Sequence, residues 1–350
     1  MELTQLAGRP ADWDERIAPF DGKCLFHESA WLDFVLRSKP RAQINYYSVS
    51  RGGQCAGYFC AVLLGRGVFR LCESPHMGRG MHLGPIVSRD TDSTELLGAV
   101  LKTCRRAGIA SVEVCFEPLR PAPMQKLGFN TSSVVKYVCR LDGGIDGVWS
   151  RMSRKRRTSI RRAEKMGLQA EIADDPSVVD HFYRTYCEVM SRKGLTPGYD
   201  ANEPRWLLQH LVPSDRVFPI CVRREGKIIG VAFYPHDDGV MYFWDGASDP
   251  DSLHMSPNDL LHWTAIKLAV ARGISVFNMG GGPVPQPPNR FAINFGAELQ
   301  EFTVYRKSLV PFLTPARQAY RWVKAARFLP SYQGIASLSA ATVSLSECAL

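Results

Sequence analysis

Between residues 175 and 308 the spacing of apolar positions changes period several times. In "DPSVVDHFYRTYCEVMSRKG", Val178, Val179, Phe182, Tyr186, Val189 and Met190 recur at the spacing of one helical face, and Gly194 ends the run. "EPRWLLQHLV" reads as a second helix. "VFPICVRREGKIIGVAFYP" shifts to apolar runs rich in β-branched residues, which predicts two strands joined at Arg224-Glu225-Gly226-Lys227. "GVMYFWDGAS" predicts a third, aromatic strand. "SPNDLLHWTAIKLAVARG" predicts a helix that Ser256 caps, with Pro257 in its first turn and Gly273 at its end. "ISVFNM" predicts a buried strand, "GGGPVPQPPN" a loop and "ELQEFTVYRKS" a last strand.

The first half shows the same order. "SVSRGGQCAGYFCAVLL" is a hairpin with its turn at Arg51-Gly52-Gly53-Gln54, and "STELLGAVLKTCRRAGIASVEVCF" is a helix followed by a strand. Aligning "ELLGAVLKTCRRAGIASVEV" with "DLLHWTAIKLAVARGISVFN" matches an acid, Leu-Leu, an apolar helix, Gly-Ile and a β-branched strand, offset by about 164 residues. The pattern predicts an α/β protein with mixed sheets, built as two copies of one unit. The glycines of "RLDGGIDG" suit a linker. The expected domains are therefore 1–142 and 143–310, followed by a basic tail, 311–350.

Charge sharpens this picture. The net charge is +9 over 350 residues. Residues 151–168 hold eight Lys/Arg against one acid, and 306–350 hold six against one, so the remainder of the chain carries −3. A slightly acidic body with two basic patches is not a general polycation binder of nucleic acid. The densest stretch, "SRKRRTSIRRAEKMGL", opens the second copy. At about 100° per residue its cations cannot share one face: Arg154, Arg157, Arg161 and Lys165 line up, while Arg156 points away from Arg154.

Ten cysteines are scattered without a CxxC pair, which reads as reduced thiols, and no metal-ligand spacing occurs. No apolar run reaches the roughly 18 residues of a membrane span, and the first residues lack the pattern of a signal peptide, so a cytoplasmic protein is expected.

Several stretches together resemble a known family: "FHESAWLDFV", "ESPHMGRGMHLGPIV", the basic stretch, "MSPNDLLHWTAIKLAVARGISVFNMGGG" and "FAINFGAEL". Their order over residues 26–307 resembles the FemAB-like double-GNAT acyl- and aminoacyltransferases. Two positions depart from the family pattern. Asn278-Met279-Gly280 stands where the family has an Asp-Gly-Gly-like end, and Phe291-Ala292 stands where it has Phe-Lys. The helical-hairpin insert that some relatives use as a tRNA-binding arm is missing.

The resemblance implies N-acyl transfer without a metal. An acyl-CoA or acyl-carrier donor would lie beside a splayed strand. Its phosphate would sit at the helix start Ser256, Pro257, Asn258 and Asp259, where free N–H groups and the helix dipole favour anions. Tyr242, Trp244 and Asp245 would stand where acceptor meets donor, with Tyr242 and Asp245 as catalytic candidates and Asp245 as a general base, directly or through water. Tyr199 is expected to face the acceptor, and Asn289, Arg290 and Asn294 to border it from the proline-rich loop. Arg156 and Arg157 are expected to hold an acceptor phosphate. His262, inside a helix beside Trp263, reads as a packing histidine.

The acceptor would be an amine on a sugar-nucleotide, cell-envelope or polysaccharide precursor, small or lipid-linked. The basic tail "PARQAYRWVKAARFLP" offers peripheral membrane contact. Two alternatives stay open: an aminoacyl-tRNA-dependent ligase acting on a peptidoglycan precursor, and a non-enzymatic nucleic-acid-binding module using the basic helix.

Overall fold

The computed structural model describes residues 1–311 apart from 67–68, 75–83, 89, 116–123, 125, 174 and 284–287. The expected tail helix, most of the glycine-rich stretch after Glu73 and part of the proline-rich loop lie outside the described residues. Among the described residues, no helix is long and apolar enough to cross a membrane.

In chain order the first half comprises β1 (Glu2–Gln5), α1 (Trp13–Ile17), α2 (Ser29–Ser38), β2 (Ala42–Arg51), β3 (Gln54–Arg66), β4 (Phe69–Ser74), β5 (Ile86–Val87), α3 (Ser93–Arg106), β6 (Ser111–Val114) and β7 (Asn130–Arg140). The second comprises α4 (Gly144–Arg151), α5 (Arg154–Lys165), β8 (Gln169–Ile172), α6 (Pro176–Arg192), α7 (Asn202–Leu211), β9 (Val217–Arg224), β10 (Lys227–Pro235), β11 (Val240–Tyr242), β12 (Asp245–Ser248), α8 (Pro257–Ala271), β13 (Val276–Pro283), α9 (Arg290–Asn294) and β14 (Glu298–Ser308).

The repeat is real in three dimensions. An antiparallel hairpin, β2–β3 or β9–β10, leads to a strand, then a helix, α3 or α8, then a strand parallel to the first: β4 with β6, and β11 with β13. The helix crosses over between the two parallel strands, as a parallel connection requires.

The closing strands of the two units are exchanged. β7 ends the first half but pairs with β13 of the second, while β14 ends the second half but pairs with β6 of the first. β7 and β14 also pair with each other from Asn130 to Val138, which welds both units into one ten-stranded sheet ordered β1-β2-β3-β4-β6-β14-β7-β13-β11, with β5 on β3. A second sheet runs β12-β10-β9-β8.

The halves also share a core. Trp13, Phe26 and Trp31 of the first are buried in one cluster with Phe182, Tyr199, Tyr242 and Trp244 of the second. Burial of such aromatic area, at about 25 cal/mol per Å2, is the main force joining them. Polar contacts fix the alignment: the Leu25 N–H donates to Asp237 Oδ2 at 2.8 Å, and Arg216 bridges Glu28 and Asp238, each at 2.8 Å.

Two expected details are corrected. "GVMYFWDGAS" is not one strand but two, β11 and β12, in different sheets. Ser256 does not cap α8. The 3-10 turn Pro250–Met255 feeds directly into the helix, so Ser256 is held left-handed (φ 66°, ψ 44°) and its side chain makes no capping bond.

Candidate active site

The site forms where the strand after β10 changes partners. The Phe243 N–H donates to Asn278 O on β13 at 2.9 Å, and the next residue, Trp244, donates to Phe233 O on β10 at 3.0 Å. Two consecutive N–H groups thus serve two sheets. Beyond this point β12 pairs only with β10, and the end of β13 pairs only with β7, so two parallel neighbours part in a V. Among the described residues of the first unit, β4 stays paired with β6 from Leu71↔Ser111 to Ser74↔Val114.

Asp245 stands at the apex. Its Oδ2 accepts from the Tyr199 hydroxyl at 2.7 Å and its Oδ1 from its neighbour's N–H, Gly246, at 2.8 Å. Tyr199 is set by its own contacts. Its ring stacks on Tyr186 at 4.8 Å with 7° between planes and lies 5.2 Å from Trp244, while its carbonyl accepts from the Tyr183 hydroxyl at 3.1 Å. Tyr186 and Tyr183 stand one turn apart on α6. The structure therefore brings Tyr199, Trp244 and Asp245 together. Tyr242 instead packs its ring against Phe26 at 4.6 Å, in the core joining the halves.

A second cluster lies at the start of α8 and is tied to the first. The Ser248 hydroxyl, on β12, donates to Asn258 Oδ1 at 2.7 Å. That bond explains Gly230, where a Cβ would stand 2.5 Å from Ser248 Oγ. Arg156 reaches in from α5: its Nη1 donates to Asp259 Oδ1 at 2.6 Å, and its guanidinium lies over the Phe291 ring at 4.7 Å. Its Nε is buried without a hydrogen-bond partner among the described residues. Burial lifts the Asp259 carboxyl to about 6, against the opposing pull of the Arg156 guanidinium.

His262 sits on the next turn. It is ringed by Phe243, Phe291, Phe295, Phe277 and Tyr234, and its Nδ1 contacts the Tyr234 hydroxyl at 3.2 Å and Asn258 O at 3.1 Å. Burial pushes its pKa down to about 4, which keeps it a neutral packing residue.

The remaining expected residues are placed as follows. Arg157 turns away from Arg156 and closes α4, donating from Nη1 to the carbonyls of Trp149, Ser150 and Met152 at 3.2, 3.2 and 2.9 Å. These are carbonyls a helix end leaves open. Asn289 caps α9, its Oδ1 accepting from the Ala292 N–H at 3.1 Å. Arg290 is exposed, and the Asn294 carbonyl accepts from the Ser153 N–H at 3.0 Å, anchoring the start of α5. Ala292 is wholly buried, so position 292 brings no polar side chain to the site.

Sequence reasoning passed over Ser248, Tyr183 and Tyr186. Tyr183 and Tyr186 carried a readable signal, two tyrosines at i, i+3 facing a Pro-Gly-Tyr loop; Ser248 carried none.

Residues 150–285 match the family model of the acetyltransferase (GNAT) domain. The solved structure of FemX is similar across 91% of this chain and 99% of its own, with a TM-score of 0.73 and 14% identity. The C-terminal domain of a putative lysylphosphatidylglycerol synthetase from Agrobacterium fabrum is similar over 89% of this chain and 95% of its own (TM-score 0.56, 14% identity). A tandem GNAT protein from the clavulanic acid biosynthesis pathway is similar over 89% and 99% (TM-score 0.53, 11% identity). No curated protein matches the sequence.

Proposed function

We propose that this chain, whose residues 150–285 match the acetyltransferase (GNAT) family model and whose fold is similar to that of FemX, transfers an acyl group from a thioester donor, acyl-CoA or an acyl carrier, to an amine. The observation that carries this reading is the parting of β12 from β13 in the second unit. The facing edges of these strands offer backbone groups to an extended donor arm, and the start of α8 turns the positive end of its dipole to the donor's phosphates. In this reading the donor is held by the second unit.

Asp245, at the apex, accepts the proton of the incoming ammonium directly or through water, and the Tyr199 hydroxyl bond holds the carboxylate in place. The freed amine nitrogen attacks the thioester carbon, the C–N bond forms, the C–S bond breaks, and the thiolate leaves and takes up a proton. Trp244 and Tyr199 wall the acceptor pocket. Arg156 faces a phosphate of the acceptor or donor, and the buried Nε supports this role because it offers an unused donor beside a paired Nη1. The acceptor is an amine on a phosphate-bearing sugar-nucleotide, cell-envelope or polysaccharide precursor. A donor on aminoacyl-tRNA is the less favoured reading, since the buried Ala292 occupies the place of the family's lysine.

The test is acyl transfer followed by mass spectrometry, with acetyl-coenzyme A, other acyl-CoAs or an acyl carrier as donor and nucleotide-linked amino sugars as acceptors. Asp245→Asn is expected to lower kcat roughly 10²–10⁴-fold with an unchanged melting temperature. An Asp245→Asn enzyme with wild-type kcat removes Asp245 from the proton path. Consumption of aminoacyl-tRNA but of no thioester overturns the donor class.

A further inference from the structure

We infer that the outer face of α5 is a docking surface for an anionic lipid bilayer. The inference is independent of how the active site is read. The structure divides the cations of this helix by role. Ile160 and Ala163 are buried, Arg156 turns inward with them, and Arg157 is spent on α4. The other five, Arg154, Lys155, Arg161, Arg162 and Lys165, are exposed, and none pairs with a carboxylate among the described residues. At about 100° per residue these five fall within an arc of about 120°, opposite the buried face. The 12-residue helix concentrates them along roughly 18 Å of axis.

Exposed apolar side chains stand on the elements next to this helix. Ile145 on α4, Leu253 in the 3-10 turn and Ile293 on α9 are 39%, 50% and 46% exposed. All three of their elements touch α5 or its start: α4 through Arg157, the 3-10 turn by packing, and α9 through the Asn294–Ser153 bond. Exposed cations without carboxylate partners, with exposed aliphatics on neighbouring elements, are the composition of a surface that attracts anionic headgroups and seats apolar tips among the upper acyl chains.

RNA is the weaker occupant. The aromatic side chain at this face, Trp149, already has Arg161 over its ring at 5.3 Å and Trp263 against it at 5.0 Å, so it offers no free platform for a base.

The test is flotation of the full chain with vesicles of phosphatidylcholine alone or mixed with phosphatidylglycerol, at low and high salt. The wild type is expected to float with the mixed vesicles only, and less at high salt. Arg154→Glu, Arg162→Glu and Lys165→Glu combined should lower the partition coefficient on the order of 100-fold, with an unchanged melting temperature because all three are exposed. Arg154→Lys with Arg162→Lys should float like the wild type. Equal flotation of the triple variant, or loss only when Arg321 and Lys324 in the tail are reversed, would overturn the assignment to α5. Equal binding to neutral vesicles, or binding to structured RNA with none to vesicles, would overturn the bilayer as the occupant.

Discussion

At the scale of single residues, neighbours in sequence have opposite fates. Arg156 and Arg157 differ by about 100° on α5, enough to send one guanidinium into the cluster at the start of α8 and the other onto the carbonyls of α4. Helical arithmetic shows that Arg156 leaves the common basic face, but it does not show where the core lies, so the sequence alone could not separate the pair. Tyr199 and Asp245 are 46 positions apart, and only the packing of α6 on β12 brings them together. The packing role of His262, by contrast, was readable from its place in an apolar helix.

Burial of His262 has a measurable consequence. Its folded-state pKa of about 4 lies below the usual 6.5, so between these values the unfolded chain binds the proton and the folded chain does not. Its stabilising contribution is therefore complete above about pH 6.5 and lost as pH falls towards 4. Asp259 works in the opposite sense. Raised from 3.8 to about 6, it favours the folded state at low pH and loses that contribution as pH rises through 6. Unfolding at pH 5, followed by urea midpoints across neighbouring pH values, should take up about one proton fewer in His262→Phe than in the wild type, and about one more in Asp259→Asn. An unchanged slope in either variant would contradict the assigned burial effect.

At the scale of elements, helices and hairpins were legible because their signals are local. Pro257 and Gly273 bound α8 as expected, with Gly273 at φ 75°. The break between β11 and β12 was not legible. Side-chain alternation runs through it undisturbed: Met241 and Phe243 face the core under α8, and Tyr242 and Trp244 face the core between the halves. What changes is the hydrogen-bond partner, which leaves no mark on the apolar pattern. The close approach of β13 to β7 is likewise invisible in sequence. A Cβ at Gly281 would stand 1.8 Å from Val135 O, next to a register shift in that pairing. Gly281→Ala must displace backbone and should cost at least about 2 kcal/mol. Gly53→Ala, in a turn at φ 81° with nothing within 4 Å, should cost about 1 kcal/mol from backbone strain alone. Equal losses in denaturant titrations of the two variants would show that β7 yields easily.

At the scale of the whole molecule, the two-unit repeat was legible and the exchange of closing strands was not. Nothing local in residues 130–140 specifies which unit they join, because strand pairing is decided by partners remote in sequence. The exchange and the shared aromatic core make the halves thermodynamically interdependent. Heat or urea should unfold the chain in one transition seen alike by fluorescence and circular dichroism. Two separated transitions would mean that the welded sheet is weaker than the cores it joins.

The donor site in the second unit is tested most directly by amide hydrogen exchange on the full chain with and without saturating acetyl-coenzyme A. The prediction is slowed exchange in residues 243–248, 257–260 and 279–283, with residues 69–74 and 111–114 unchanged. Slowing in the first unit's strand pair, or none in the second while the donor is consumed, would contradict the assignment of the site.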